Sequence, residues 1–413
     1  MGLLIKNIHQ LVQVREKPIP LVKGKEMSHL PVIENAWLLI KDGIIADYGE
    51  MASCPQEENT TIIDAQGRLV LPCWCDSHTH LVYAGSREME FVDKIKGLTY
   101  EEIARNGGGI LNSSDKMNRT DEEELFDQAK MRLKEIMAFG TGAVEIKSGY
   151  GLSLEGELKM LRVIKRLKET SPLTIKATFL GAHAIPRSYL NNREGYIKLI
   201  IEEMIPKVAS EGLAEYCDVF CDKGFFSADE TDLILSAAVK AGLIPKIHAN
   251  ELDYSGGIQV GVKHKALSVD HLEYTGDEEI QLLKASNTMP TLLPSTAFFL
   301  NLKNPPARKM IDEGLPVALA SDYNPGSSPS GRMQFVLSLG CINLKMTPEE
   351  VINAATINGA FAMGLSSSHG SITKGKKANL IITKPCPSYQ YLPYAFGNDL
   401  IDKVIFKGNV YEG

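Results

Sequence analysis

This 413-residue chain has few cysteines, no long apolar run and no excess of positive charge. No uninterrupted apolar run approaches the roughly 18–20 residues that cross a bilayer, which argues against a membrane-spanning protein. With 44 basic and 51 acidic side chains the net charge is −7, so nothing electrostatic favours nucleic acid or an anionic membrane as a partner. Seven cysteines without framework spacing, and an N-terminus too soon polar for a secretory signal, predict a reduced, cytoplasmic location.

The composition that is present, 44% hydrophobic and 23% charged residues, is typical of a globular protein with a large core. Both ends of the chain contain short β-friendly runs, at residues 3–7, 36–41, 44–48, 378–383 and 403–411. An Asp-Gly turn signal at positions 42 and 43 separates two of them. We therefore predict one small, sandwich-like β domain assembled from residues 1–72 and 365–413.

The middle of the chain, residues 73–364, alternates strand-like and helix-like segments. Apolar residues recur at helical spacing at positions 125, 129, 133 and 137 and again at 154, 158 and 161. The eight β-like runs cover residues 68–76, 143–147, 173–180, 216–221, 243–248, 266–271, 288–293 and 316–321. This alternation suits an α/β fold of the (β/α)₈ TIM-barrel type, although a doubly wound sheet has the same pattern.

Polar residues at the ends of these runs favour the barrel. His78 and His80 follow directly after the first run, His248 ends the fifth, His271 ends the sixth and Asp322 follows the eighth. In a barrel all these ends converge on one face, where barrel enzymes keep their active sites. A doubly wound sheet offers no equivalent reason for the pattern.

Four of these residues form a candidate metal site. His78 and His80 are two positions apart, so both imidazoles can lie on the same side of a strand end. Together with His248 and Asp322 they supply three nitrogens and one carboxylate oxygen, a set that suits one Zn²⁺ or Fe²⁺/Fe³⁺ ion per chain with a position left for water. A His-x-His pair alone is weak evidence; the set of four is much stronger.

The same residues carry a resemblance to a known family. Residues 71–88 (LPCWCDSHTHLVYAGSRE) resemble the metal-binding opening of the amidohydrolase superfamily, and the continuation to Arg87 is similar to that of imidazolonepropionases. Further similar blocks are residues 106–110, 145–152, 179–184, 246–251 and 321–328. One departure is Cys73-Trp74-Cys75, where the family usually has glycine after Leu-Pro and a small or aliphatic residue before the Asp; we expect both cysteines to be packed strand residues.

The resemblance implies a hydrolase of histidine degradation. Such an enzyme opens the ring of 4-imidazolone-5-propanoate with a metal-activated water and yields N-formimidoyl-L-glutamate. The implied catalytic residues are Glu251 as general base and then acid, a protonated His271 that stabilises the oxyanion, and Asp322 as a second acceptor for the water proton.

The resemblance also implies how the substrate is bound. Arg87 would bind the carboxylate tail and would not serve as a structural ion-pair partner. Tyr150 and His183 would donate hydrogen bonds, with Tyr100 a weaker candidate. The remaining implied contacts are Glu251, Asn324, Gly326 and Ser327.

One metal ion is favoured over two. Two-metal members of the superfamily bridge their ions with a carboxylated lysine in strand 4, whereas residues 216–221 contain no lysine and Lys223 follows outside. A homodimer is implied by the resemblance only.

Two other functions stay open on the residues alone. A purine or pyrimidine deaminase also uses a His-x-x-Glu pair, but it has no need of Arg87. A catalytically inactive barrel is disfavoured by the complete set of candidate ligands.

Overall fold

The computed structural model describes residues 2–56, 59–98, 102 and 108–411. Sixteen strands lie in this described part of the chain, in two sheets. In chain order they are β1 (Gly2–Val12), β2 (Val32–Lys41), β3 (Ile44–Glu50), β4 (Thr60–Asp64), β5 (Val70–Pro72), β6 (Trp74–Thr79), β7 (Thr141–Lys147), β8 (Thr174–Ala182), β9 (Tyr216–Cys221), β10 (Ile244–Ala249), β11 (Ser268–His271), β12 (Met289–Leu292), β13 (Ala318–Leu319), β14 (Leu380–Thr383), β15 (Ile401–Phe406) and β16 (Asn409–Tyr411).

Strands β6 to β13 form the barrel. Neighbours in the sequence are neighbours in the sheet, and every pair is parallel. The first and last strands meet just beyond β13, where Thr79 bridges to Tyr323 and the Asp322 N–H donates to the His78 carbonyl at 3.0 Å. The predicted (β/α)₈ barrel is confirmed, and its closure joins two of the segments that carry candidate ligands.

The other eight strands form one sheet from both ends of the chain. Strand β1 pairs antiparallel with β2 and parallel with β4 and β5, and β5 pairs antiparallel with β14. Buried aliphatic side chains from both ends, among them Ile5, Leu38, Leu380 and Ile405, pack into its core. The separate terminal β domain is thus confirmed, while its boundaries at 72/73 and 364/365 stay a prediction.

Two strand predictions need correction. The run 68–76 is divided between the two sheets, because the Cys73 N–H donates to Asn379 of the terminal sheet and the next N–H, of Trp74, donates to Gly140 beside the barrel. The eighth run forms a strand only at Ala318–Leu319, because the Ser321 N–H donates to the Asp76 side chain at 3.0 Å. Cys73 and Cys75 are buried, as expected.

Helices connect the barrel strands. The two predicted helical faces lie in Glu122–Ala138 and Leu154–Thr170, with Asp121 and Ser153 as their N-caps. The other α-helices are Glu88–Ile95, Gly109–Arg119, Arg193–Leu199, Ile205–Ser210, Ala228–Lys240, Gly257–Lys263, Asp277–Lys284, Pro294–Leu300, Ala307–Asp312, Met333–Ile342, Pro348–Asn353, Gly359–Ala362 and Tyr391–Tyr394. Short 3₁₀ turns are Gly24–Ser28, Met51–Ser53 and Arg187–Tyr189, and π turns are Ile200–Met204 and Ala354–Asn358. Among the helices in the described ranges, none is both long and apolar enough to span a bilayer.

Candidate active site

The four predicted metal ligands meet at one end of the barrel. The Nε2 atoms of His78 and His80 lie 3.4 and 3.5 Å from Oδ1 of Asp322. The Nε2 atoms of His80 and His248 lie 3.2 Å apart. All four side chains are buried. Residues 78, 248 and 322, far apart in sequence, are thus brought to the same end of the barrel.

Two carboxylates fix the tautomers of the ligand histidines. Nδ1 of His78 lies 2.6 Å from Oδ2 of Asp270, and Nδ1 of His248 lies 3.0 Å from Oδ1 of Asp218. An ionised carboxylate only accepts, so each Nδ1 carries the proton and donates it. Nε2 of each neutral ring therefore presents a lone pair to the centre, as it does in metal sites.

The atoms at the centre fit one metal ion. Among the described residues, Nε2 of His78 and Oδ1 of Asp322 are buried without a hydrogen-bond partner. Buried polar atoms without partners are rare unless something else satisfies them. Three imidazole nitrogens and one carboxylate oxygen form a donor set that suits a transition metal. Close donor atoms form two sets that share His78, one with His80 and Asp322 and the other with His248 and His271, so His271 borders the same centre.

Asp322 is held by a residue that the sequence did not point to. The Thr296 hydroxyl donates to Oδ2 of Asp322 at 2.6 Å, which leaves Oδ1 facing the histidines. Asp322 also adopts a left-handed backbone conformation, φ +52°, uncommon for a residue other than glycine. Burial raises the pKa of Asp322 to about 6. Thr296 lies in a helix beyond β12, so no strand-end pattern could have identified it.

Three titratable side chains lie beside the ligands. Nδ1 of His271 is 3.7 Å from Oε2 of Glu251 and 4.0 Å from Oε2 of Glu273. Burial, followed by the charges of Asp322 and Asp222, raises the pKa of Glu251 to about 8. Burial, followed by His248, lowers the pKa of His271 well below its usual value. The direction of this pKa shift favours the neutral ring over the protonated ring expected from the sequence.

Arg87 has an acidic partner, contrary to expectation. Its Nε and Nη2 donate to Oε2 of Glu90 at 2.8 and 2.6 Å, because Glu90 follows one helical turn later. Glu90 also accepts the Gly109 N–H at 3.1 Å. The opposite edge of the guanidinium lies against Gly326, where a Cβ atom would come within 2.1 Å of Nη1. Arg87 thus bridges Glu90 and the loop after β13.

His183 and Tyr150 form an aromatic wall beside His80. The His80 and His183 rings are stacked with centroids 5.3 Å apart, and the Tyr150 ring lies 5.4 Å from His183. Nδ1 of His183 lies 2.9 Å from the Gly149 carbonyl, to which it must donate. Burial lowers the pKa of His183 to about 3, so its Nε2 is an acceptor. The expected donor role of His183 is therefore reversed.

The predicted loop residues after Asp322 lie together, and their side chains shape the loop itself. Oδ1 of Asn324 accepts the N–H groups of Gly326 and Ser327 at 2.7 and 2.8 Å. The Ser327 hydroxyl accepts from Nδ2 of Asn324 and lies 3.4 Å from Oδ2 of Asp322. Tyr100 lies outside the described residues.

Strand β9 contains no lysine, and Lys223 is exposed and paired with Asp253. The buried lysines near the centre are Lys147 of β7 and Lys246 of β10, which sequence reasoning missed together with Asp218. The position of Lys246 could have been inferred from the sequence. Lys246 is two positions from the ligand His248, and alternate residues of a strand face the same side.

Comparison with known proteins identifies the family. A model described as the amidohydrolase family matches residues 69–411. The imidazolonepropionase of Flavobacterium johnsoniae is 61% identical over 407 residues, which cover 98% of this chain and 99% of that protein. That of Christiangramia forsetii is 59% identical and covers 99% of this chain and 100% of its own. The chain belongs to the imidazolonepropionase family of amidohydrolases. It is a hydrolase that acts on a C–N bond.

Solved structures of other enzymes share the fold of this imidazolonepropionase family member. Escherichia coli guanine deaminase matches with a TM-score of 0.74 at 15% identity, over 100% of both chains. The 5-methylcytosine deaminase of Klebsiella pneumoniae with phosphonocytosine matches with a TM-score of 0.74 at 19% identity, over 98% of this chain and 97% of that chain. At such identities the likeness concerns the fold alone, so it does not favour the deaminase alternative.

The donor set predicts one transition metal ion per chain. Elemental analysis of the purified protein should find one ion, and His78→Ala or Asp322→Ala should lower this content because each removes a ligand. His264→Ala is the control, since His264 pairs with Asp232 on another part of the barrel and should leave the content unchanged. Two ions per chain, both required for activity, would contradict the prediction.

Proposed function

We propose that this family member opens the ring of 4-imidazolone-5-propanoate with water to give N-formimidoyl-L-glutamate, using one Zn²⁺ or iron ion held by His78, His80, His248 and Asp322. The observation that carries the proposal is the convergence of three imidazole nitrogens and one carboxylate oxygen beside Glu251. When bound, the ion supplies Lewis acidity that polarises the carbonyl group and makes water a nucleophile at neutral pH.

Glu251 is the proton carrier in this proposal. Its buried carboxyl group lies in the loop after β10, and Asp222 holds that loop by accepting the Leu252 N–H at 2.8 Å. The carboxylate form takes a proton from the attacking water and then delivers it from Oε to the ring nitrogen that leaves. A carboxyl group whose pKa lies near neutral pH suits both steps, because it gains and loses a proton easily.

His271 stays neutral and acts as a hydrogen-bonding group. The uncharged ring donates through one nitrogen to the oxygen that becomes negative on the substrate, while Nδ1 faces Glu251. A neutral donor in a buried site still stabilises a developing oxyanion. Asp322 keeps Oδ2 on the Thr296 hydroxyl and can accept the water proton as a second base.

Specificity in this proposal comes from the opposite side of the pocket. Arg87 binds the propanoate tail through the guanidinium edge that faces Gly326, while Glu90 holds the other edge. Nε2 of His183 accepts a ring N–H, and the Tyr150 hydroxyl donates to the substrate. The loop of Asn324, Gly326 and Ser327 closes the site beside the tail.

The proposal includes a cytoplasmic location and a homodimer. All seven cysteines are free thiols, which suits a reducing compartment. The homodimer rests on the resemblance alone, and sedimentation of the purified protein would test it.

The direct test of the reaction is a spectroscopic assay. We expect the metal-loaded protein to remove the ring absorbance of imidazolone propanoate and to release formimidoylglutamate, because water addition breaks the conjugated ring. Metal-free protein is the control and should be inactive. Unchanged absorbance with the metal-loaded protein would contradict the proposed reaction.

Replacing Glu251 with glutamine should slow turnover and leave the metal in place. Glu251→Gln preserves size and removes the proton carrier, so kcat should fall by about 10²–10⁴-fold. Asp253→Asn, in the same loop but partly exposed and paired with Lys223, should keep nearly full activity. Loss of the metal in Glu251→Gln would make Glu251 a ligand instead.

Removing the Arg87 guanidinium should penalise charged substrates selectively. Arg87→Met should lower kcat/KM for imidazolone propanoate. The loss should correspond to about 2–5 kcal/mol of activation free energy, the range for breaking a buried charged pair. The loss should be far smaller for an analogue whose tail ends in a neutral amide. Lys94→Met removes a neighbouring cation but leaves the hydrogen bonds from Arg87 to Glu90 in place, and it should have little effect. Equal losses for both substrates would assign Arg87 to the fold.

A further inference from the structure

Five charged side chains lie together in the barrel interior, and they include the two carboxylates that hold the ligand histidines. They come from four strands and are completely buried: Glu145, Lys147, Asp218, Lys246 and Asp270. Two ammonium groups and three carboxylates leave one net negative charge. Buried ions are strongly destabilising unless their partners are well placed, so the contacts of each lysine are informative.

Lys147 contacts both of the carboxylates that orient ligand histidines. Its Nζ lies 2.8 Å from Oδ2 of Asp218 and 3.7 Å from Oδ2 of Asp270. Nζ also donates to Oε1 of Glu145 at 2.5 Å, and Glu145 lies on the same strand, β7.

The other ends of these carboxylates reach the ligands. Oδ1 of Asp218 accepts both the backbone N–H and the ring N–H of His248, each at 3.0 Å. Oδ2 of Asp270 accepts the ring N–H of His78 at 2.6 Å. One ammonium is therefore connected through two carboxylates to two of the candidate ligands, one on β6 and one on β10.

Lys246 is equally buried but is connected differently. Its Nζ donates to Oε2 of Glu145 and to the carbonyls of Ser77 and Ala362 at 3.0 and 3.3 Å. Its distance to Asp270 is 3.9 Å, and Asp218 is not among its partners in the described part of the chain. Lys246 therefore mainly ties Glu145 to the backbone and offers a matched control for the loss of a buried ammonium.

We propose that Lys147 is a positioning residue for the metal centre, whose ammonium holds Asp218 and Asp270 in the orientation that directs Nε2 of His248 and His78 at one ion. Without this cation the two carboxylates repel each other in a medium of low dielectric constant and turn away from their histidines. The inference rests on the proposed metal centre and adds a residue that none of the ligands touches directly.

The same contacts argue that Lys147 is an ammonium and not a carboxylated lysine of the bridging kind. A carbamate on Nζ would place another anion against Glu145 and Asp218, at distances now occupied by attractive contacts. The positive charge at this position is therefore the unmodified Lys147 ammonium.

The test is metal affinity, measured without turnover. Metal-free wild type, Lys147→Met and Lys246→Met are each titrated with Zn²⁺ against a chromophoric chelator, and circular dichroism with thermal unfolding checks that each is folded. We expect Lys147→Met to bind Zn²⁺ about 10–100-fold more weakly, the usual effect of losing a group that supports metal ligands. Lys246→Met should lose thermal stability with a much smaller change in affinity.

A conservative variant separates positioning from folding. Lys147→Gln keeps a donor for Asp218 and should restore part of the affinity lost in Lys147→Met; it also carries the comparison if the methionine variant does not fold. Wild-type affinity in Lys147→Met, or equal losses in the two lysine-to-methionine variants, would overturn the proposal. Wild type that binds no Zn²⁺ would instead overturn the metal centre on which it rests.

Discussion

The site is held in place by two hydrogen bonds, which His78 donates to Asp270 and His248 donates to Asp218. Each fixes a proton on Nδ1 and so leaves Nε2 free to bind a metal. Both carboxylates are buried inside the barrel, where an unpaired charge is strongly unfavourable. The strands below the ligands therefore have to carry compensating groups, and they do so with Lys147 and Lys246.

This requirement explains why a barrel interior contains so many polar side chains. The Thr178 hydroxyl donates to Glu145 at 2.6 Å, and the Ser268 hydroxyl donates to Asp270 at 2.5 Å. Thr178 thus binds the same Glu145 oxygen as Lys147. Ser268 binds Oδ1 of Asp270, whereas the lysines lie nearer to Oδ2. Larger aliphatic residues would fill a barrel interior without such a network, so the polar content of these strands serves the chemistry at their ends.

The substrate side of the pocket is held by similar means. Glu157, buried at the start of its helix, accepts the N–H groups of Gly149, Gly151 and Leu152 at 3.0, 2.7 and 2.9 Å. These bonds fix the loop that carries Tyr150 and presents the Gly149 carbonyl to His183. Glu90 orients the Arg87 guanidinium by accepting two of its hydrogen bonds. In both places a carboxylate outside the centre orients a group that faces the pocket.

The barrel, the terminal sheet and the strand-end placement of His78, His80, His248 and Asp322 could be predicted from the amino-acid pattern, because strand periodicity depends on residues close together in the chain. The pattern also predicted the two helices whose apolar faces repeat every four residues. Which side chains pair with each other could not be predicted in this way, because the partners come from distant parts of the chain. Asp270 lies 192 residues from His78, and Lys147 lies 71 residues from Asp218. Tautomers, charge partners and the acceptor role of His183 follow from such contacts, since the proton on a ring nitrogen depends on what the fold places opposite it.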